Sequence, residues 1–385
     1  MLLDPTRVRK LLEQRGVDAI VAHSPENFFY ATGLRTQATF ILRSIRGFAV
    51  LYSDKGKAPA LVITHDAAEY SREFCWIEDQ RYTDFEVYVK RKIPPNITAG
   101  DTIEALIKAL TEKDIAKGRI ALEMDSIPLA TYDRIRKRLP DASIVDGSGI
   151  FQELRETKTI EEIARIRKAT EITDRATDKT LGHIRAGVTE LELKQVFEKA
   201  VLEEGGDLYF LPHVIIGAGK NGAFLSHHVP SSYKCQAGDL ILFDLGAVYD
   251  GYTTDIAREA CVQRPSPDDE KLYNVLQSTV EGVIASIRPG ARPCDLFRQG
   301  QDAIRKAGYP DYKRGMIGHG VGITVHEGPP ISPSNSKPLE PGNVLTVETP
   351  YYISGHGGLN YEDIVLVTER GHEILSHAKK GLYIS

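Results

Sequence analysis

The sequence predicts an α+β chain built as two domains, and three observations carry that prediction. The chain has 385 residues, more than one ordinary hydrophobic core accommodates. Residues 1–150 alternate short strand-like and helical segments, the pattern of an α/β domain with a partly parallel sheet. Residues 151–385 set long amphipathic helices apart from runs of strands, the pattern of an α+β domain.

In chain order, Asp4–Arg15 reads as a capped helix with Val8, Leu11 and Leu12 on one side. Asp18–Ala22 reads as a strand. Phe48–Tyr52 and Ala60–Thr64 read as two more, joined through the turn-forming Ser53-Asp54-Lys55-Gly56. Thr102–Leu110 is helical, Arg119–Glu123 a strand, Leu129–Arg138 a helix and Ser143–Asp146 a short strand. The domain boundary is expected between Asp146 and Lys158. Thr159 and Glu162 then form a capping box for a helix reaching Leu181. Its apolar stripe is Ile160, Ile163, Ile166, Ala169 and Ile172, with Glu161, Arg165, Lys168 and Asp174 facing away. Helices follow over Thr189–Glu204, Asp268–Ile287 and Cys294–Lys306, and most of the rest reads as strands.

Hydrophobic content of 42% and charged content of 26% are those of a globular protein. A net charge of −5, without a dense Lys/Arg run, argues against a nucleic-acid surface. The four cysteines are irregularly spaced, as free thiols in a reducing compartment would be. The first residues, MLLDPTRVRK, form no apolar leader, and no run approaches the ~18 apolar residues of a spanning helix. A cytoplasmic protein with no membrane partner is expected.

The chemistry concentrates in the second domain. Leu240–Val262 reads LILFDLGAVYDGYTTDIAREACV, two strand runs joined by Asp250-Gly251. An Asp-Gly pair suits a type I′ hairpin turn, which needs φ > 0 at both central residues. With that turn, Tyr249 pairs with Tyr252, Asp244 lies opposite Ala257, and Asp255 lies opposite Gly246. The two aspartates become diagonal neighbours on one face, with about 7–8 Å between backbones. Two carboxylates set among Ile241, Leu242, Phe243 and Leu245 repel each other unless a cation lies between them. The alternatives are aspartates facing water, or Asp255 paired with Arg258.

Val344–Ile364, VLTVETPYYISGHGGLNYEDI, reads as a second hairpin about the Gly-rich Ser354–Gly358. Glu348 and Glu362 lie seven residues either side of Gly355, so a symmetric loop sets them face to face. Between the hairpins, Gly318-His319-Gly320-Val321-Gly322 precedes His326-Glu327, and its glycines let backbone approach a neighbour closely. Gly217–Gly222 matches GxGxxG after an apolar run. The residues that follow (Ser226, Pro230, Ser231, Ser232, Gly238) leave no room for a nucleotide-binding helix, so it reads as a turn between strands. Asp244, Asp255, His319, Glu348 and Glu362 together form an oxygen-rich, cysteine-free donor set. It suits one or two divalent ions such as Mn2+, Co2+ or Fe2+, with Zn2+ possible.

On these motifs the chain resembles the methionine aminopeptidase/prolidase/creatinase superfamily, and within it the two-domain Xaa-Pro peptidases (prolidase and aminopeptidase P). FDLGAVYDGYTTDIAR looks like the family's first two metal ligands, GHGVG with HE like its third ligand and a substrate-side histidine, and TVETP and NYEDI like its fourth and fifth ligands. SPENFFYATGL (Ser24–Leu34) and LRETKTIEEIARIRKA (Leu154–Ala169) resemble a creatinase-type N-terminal domain and its junction. The resemblance implies a pita-bread catalytic domain over 151–385, preceded by a smaller creatinase-type α/β domain over 1–150. It implies two divalent ions, Mn2+ foremost, on Asp244, Asp255, His319, Glu348 and Glu362. Asp255 and Glu362 would bridge them, and a shared water would attack the peptide bond before proline.

By the same resemblance Glu348 is the general base, and His227 and His326 stabilise the tetrahedral oxyanion. Phe210 and Tyr351 are candidates for a proline pocket, and the substrate is a short proline-containing peptide on a homodimer. Departures from the family pattern cluster on the substrate side. Pro330 and Asn360 stand where arginines are usual, and Glu259 stands where threonine is. They keep open a C–N hydrolase of creatinase or ectoine-hydrolase type on the same fold, and more remotely a non-catalytic binding module.

Overall fold

Capping chemistry sets where the helices begin. Asp4 accepts from the Thr6 amide at 2.8 Å and starts the helix Pro5–Arg15. Asp101 accepts from the amides of Ile103 and Glu104 and starts Thr102–Glu112. The expected Thr159/Glu162 box opens the helix Ile160–Leu181. An equivalent box, Thr189 with Glu192, opens Glu190–Glu203. The same T-x-x-E signal was there to read in the sequence.

This computed structural model describes residues 2–36, 47–83, 97–207 and 214–385. The chain divides into a unit ending at Leu154 and a unit beginning at Arg155. No helix among the described residues is long and apolar enough to cross a membrane.

The first unit is built on a seven-stranded sheet in the order β5-β4-β3-β2-β1-β6-β7. The strands are β1 (Ala19–Ala22), β2 (Gly47–Tyr52), β3 (Ala60–Thr64), β4 (Asp79–Thr83), β5 (Ile97–Ala99), β6 (Arg119–Leu122) and β7 (Ser143–Asp146). β1–β2 and β2–β3 are antiparallel and the other pairs parallel, the mixed sheet the alternation predicts. Val21, Phe48, Val50 and Val62 share one core with Leu106 and Leu110 of Thr102–Glu112.

The second unit contains β8 (Val214–Ala218), β9 (Leu240–Leu245), β10 (Val248–Tyr249), β11 (Tyr252–Thr253) and β12 (Ile256–Cys261). It continues with β13 (Val344–Glu348), β14 (Tyr351–Ile353), β15 (Gly357–Leu359), β16 (Glu362–Thr368), β17 (Gly371–Ile374) and β18 (Tyr383–Ile384). The main sheet runs β13-β16-β12-β9-β8, with β17 on β16 and β18 on β12. Two cores flank it. Ile172, Ala176 and Phe197 of Ile160–Leu181 and Glu190–Glu203 pack on Ile216, Ile241 and Phe243. Leu272, Tyr273 and Val280 of Pro267–Ile284, with Phe297 of Pro293–Lys306, pack with Leu345, Val347 and Tyr361.

One expectation about the helix Ile160–Leu181 fails. Ile160 is 89% exposed, and Asp174 is buried. Ile160 sits in the first turn, ahead of the packed stretch. Asp174 is buried because its carboxylate accepts the amides of His377 and Ala378 at 2.7 and 2.9 Å, closing a turn near the C-terminus.

Candidate metal centre

The Asp250-Gly251 turn has φ of 48° and 83°, as a type I′ turn needs. It sets Tyr249 opposite Tyr252 and Val248 opposite Thr253. The same register continues below, where β9 and β12 pair Leu245 with Ile256 and Asp244 with Ala257. In the second hairpin, β14–β15 pairs Ile353 with Gly357, and β13–β16 pairs Glu348 with Glu362, face to face as the symmetric loop requires.

β12 also pairs with β16 through Ala257 and Glu362. Asp244, Ala257, Glu362 and Glu348 therefore form one row across the sheet. Directly opposed antiparallel residues point to the same face. The small Ala257 side chain leaves space between the flanking carboxylates.

Ligand-capable atoms of Asp244, Asp255 and Glu362 lie within 4.8 Å of one another, and so do those of His319, Glu348 and Glu362. Asp255, His319 and His326 form a third such group. All five expected ligands are thereby brought together, with Glu362 common to two groups. Asp255, Glu362 and His319 are buried, and Asp244 and Glu348 are half-buried.

His319 is aimed by its glycines. A Cβ at Gly318 would stand 2.2 Å from the Thr346 carbonyl oxygen, and one at Gly320 would stand 2.0 Å from that of Gly328. Only glycine permits this approach, which lets the Thr346 amide of β13 donate to the His319 carbonyl at 2.7 Å. The His319 Nδ1 lies 3.0 Å from the Gly320 carbonyl, so Nδ1 carries the proton and donates. The lone pair on Nε2 then faces Asp255 Oδ2 at 3.6 Å. His326 is exposed, with its ring stacked on His319 at 3.8 Å between centroids.

The electrostatics match a cation site. Burial and the charges of Asp244 and Glu348 push the Asp255 carboxyl well above the usual carboxylate range. Burial and the charges of Asp255, Glu348 and Asp244 do the same to Glu362. The Oε1 atom of Glu362 is buried and has no hydrogen-bond partner among the described residues. Repelling buried carboxylates, an oxygen left over and an imidazole lone pair turned toward them fit divalent ions of hard-to-borderline character.

Arg258 does not pair with Asp255. It points to the other face, reaches Asp363 at 2.7 Å, donates to the Glu362 carbonyl at 2.7 Å and lies over the Tyr361 ring. It thus braces the backbone beneath Glu362.

His227 lies outside the three groups, exposed at the end of a 3-10 segment, Gly219–His227. The glycine motif is therefore not a plain turn between strands: β8 ends in it and the 3-10 segment follows. Its glycines serve packing, since a Cβ at Gly217 would stand 2.8 Å from the Gly222 backbone and one at Gly222 would stand 3.0 Å from the Gly358 nitrogen. Buried Glu190 fixes the same stretch, accepting from the Ala218 amide, Asn221 Nδ2, His228 Nε2 and the Ser231 amide and hydroxyl at 2.7–3.0 Å. Sequence reasoning missed Glu190, which reads there only as the residue after a helix cap.

It also missed the use of Glu259 and Asn360. The Asn360 amide donates to Glu259 at 3.2 Å, and its side chain donates to Glu348 Oε2 at 3.4 Å. Glu259 is wholly buried, and burial raises its carboxyl well above the usual range. Of the two candidates for an apolar pocket, Tyr351 stacks on Tyr312 at 5.8 Å between centroids. Phe210 lies outside the described residues.

A family model described as metallopeptidase family M24 matches residues 164–369, and one described as the creatinase/prolidase N-terminal domain matches 6–157. The uncharacterized peptidase YqhT of Bacillus subtilis (strain 168) is 30% identical over 378 residues, covering 98% of this chain and 99% of that one. An Xaa-Pro dipeptidase from Bacillus anthracis is similar in structure, with a TM-score of 0.84 at 26% identity and 99% of each chain covered. So is an X-Pro aminopeptidase from Thermotoga maritima MSB8, with a TM-score of 0.78 at 26% identity and 99% of each chain covered.

Proposed function

Because the chain belongs to metallopeptidase family M24, with a creatinase-type N-terminal domain before a pita-bread catalytic domain, we propose that it hydrolyses the peptide bond preceding proline in short peptides. The observation that carries this reading is the pair of donor groups sharing Glu362. Asp244, Asp255 and Glu362 would hold one divalent ion, and His319, Glu348 and Glu362 the other, with Asp255 reaching both. When bound, such ions lower the pKa of a water toward neutrality and polarise a carbonyl. Mn2+ is the ion proposed first, with Co2+, Fe2+ and Zn2+ as alternatives.

Glu348 is half-buried and accepts a hydrogen bond from Asn360 Nδ2, and it is the group that would accept the water's proton and return it to the leaving nitrogen. His326, stacked on His319 at the open side of the centre, is placed to donate to the developing oxyanion. His227 would join it from the segment that Glu190 fixes. Tyr312 and Tyr351 offer the apolar rings a proline needs. A homodimer and a cytoplasmic setting belong to the same reading; the four cysteines are free, which agrees with a reducing compartment.

The test is elemental analysis of the purified protein together with a panel of X-Pro dipeptides and X-Pro-Y peptides, with and without Mn2+. About two ions per chain and metal-dependent release of the X residue are expected. The panel also separates a dipeptidase from an aminopeptidase. Hydrolysis of creatine or ectoine by protein that binds no divalent ion would overturn the peptidase reading in favour of a C–N hydrolase on the same fold. That alternative rests on Pro330 and Asn360.

A further inference from the structure

Glu259 is a buried carboxyl with no cation to meet it. It lies opposite Leu242 in the β9–β12 ladder, two residues along from the Asp244–Ala257 pair, and so shares the face of the metal ligands one row away. Glu259 and Asn360 are both wholly buried. No cation among the described residues pairs with Glu259. Arg258, its neighbour in the chain, serves the opposite face and Asp363. The helix Pro267–Ile284 brings the other polar groups. Asp269 adds a like charge, and is itself held by His356 at 2.8 Å and the Ser266 hydroxyl at 2.7 Å. Tyr273, one turn along, brings a phenol that burial keeps neutral. An isolated carboxylate in such a place costs far more than its acid form. Burial and Asp269 accordingly push the Glu259 carboxyl well above the usual range.

What a neutral acid can do there follows from its neighbour. Glu259 Oε2 accepts the Asn360 backbone amide at 3.2 Å, while Glu259 Oε1 is buried without a hydrogen-bond partner among the described residues. The Asn360 side-chain oxygen, Oδ1, is likewise buried without a donor among them. Two acceptors are thus left over on two residues already joined by a hydrogen bond. A protonated Glu259 supplies the one donor that is missing, and an ionised one leaves both oxygens unmet. The other end of the Asn360 side chain faces the metal centre, where Nδ2 donates to Glu348 Oε2 at 3.4 Å. With that amide turned over, Oδ1 would face the Glu348 carboxylate and repel it.

We propose that Glu259 is a positioning residue for the metal centre: as a neutral acid it donates from Oε1 to Asn360 Oδ1, and so turns Asn360 Nδ2 toward Glu348. The inference rests on the metal-centre reading above and adds to it a residue that acts only through Asn360. It also gives one shared role to two departures in this chain, Glu259 in place of the usual threonine and Asn360 in place of the usual arginine. An oriented amide then stands beside Glu348 where a fixed positive charge is usual.

The test combines infrared spectra with Mn2+ binding. In Mn2+-loaded protein at about pH 8, well above the ordinary carboxylate range, the wild-type spectrum should hold a protonated-carboxyl band that Glu259→Gln lacks. Glu259→Gln keeps a donor and an acceptor in the same shape, and should retain most of the Mn2+ affinity measured by calorimetry. Glu259→Met keeps the bulk and loses the donor, and should weaken Mn2+ binding by about 10–100-fold. Adding Asn360→Ala to Glu259→Met should weaken it little further, because both changes remove the same bond to Glu348. A merely structural role for Glu259 would instead give losses that add. Such additive losses overturn the proposal, as does a Glu259→Met protein that binds Mn2+ like wild type. If Glu259→Met does not fold, the band and the Glu259→Gln affinity decide. A wild type that takes up no divalent ion overturns the metal-centre reading itself, whereas one that takes up Mn2+ but lacks the band overturns only the role of Glu259.

Discussion

At the scale of single residues, the centre is defined by charges that oppose one another until a cation neutralises them. Glu362 shows this most sharply, because it takes part in two donor groups and keeps one buried oxygen without a hydrogen-bond partner among the described residues. Glu362→Ala is expected to remove both ions, seen as loss of metal in elemental analysis, while the circular dichroism of the fold persists. Glu362→Gln is expected to act with opposite signs in the two states. Metal-free protein should melt higher than wild type, because one repelling carboxylate is gone, and Mn2+ should no longer raise its Tm. A metal-free variant that melts below wild type would sink this account. Asn360 acts at one remove, since its side-chain Nδ2 donates to Glu348. Asn360→Ala is expected to lower metal affinity or turnover by about 10–100-fold, the usual effect of removing an outer hydrogen bond from a ligand.

At the scale of elements, the two hairpins aim the carboxylates. Side chains alternate with a period of two along a strand, so a shift of one residue turns every ligand on that strand away. Inserting one residue between Tyr249 and Asp250, with the turn kept at Asp250-Gly251, is expected to move Asp244 to the opposite face of β9. Metal titration should then show loss of the ion that Asp244 would hold. Retention of both ions would mean that the local ladder can absorb the insertion. This register was legible in the sequence because a two-residue turn and an alternating pattern are local information. The fit between Gly222 and Gly358 was not legible, because it joins segments far apart in the chain. The buried stripe of Ile160–Leu181 was legible only in part, since Asp174 is buried by amides about 200 residues away.

At the scale of the whole molecule, the two units carry titrating groups of opposite sign. In the first, burial alone would raise the Glu123 carboxyl, but hydrogen bonds from His23 and Ser24 hold it down at about 2. A carboxylate with a lowered pKa in the fold contributes stability above its unfolded value, near 4.5, and loses it as pH falls toward 2. Glu123→Gln should therefore cost stability on the order of 3 kcal/mol at pH 7 and little near pH 2, measured by denaturant titration at both values. In the second unit Asp255 and Glu362 have raised values. Without metal, their contribution is present at and below the ordinary carboxylate range and is lost as pH rises through the raised values. The gain in Tm on adding Mn2+ should therefore grow with pH from about 5 upward. A gain that shrinks over that range would contradict the assignment of these two as bridging ligands.

By itself the sequence determined the order and spacing of the donor residues, the type I′ turn, the symmetric second hairpin and the helix caps. Each depends on residues close together in the chain, where turn chemistry and periodicity act. Only the tertiary structure decided what those pieces form together. The pairing of Ala257 with Glu362 sets the hairpins side by side, and Thr346 seats His319 against β13. Arg258 turns away from Asp255 toward Asp363. The cost of burying like charges is likewise a property of the packed molecule, since it arises when distant segments exclude water from the same small space.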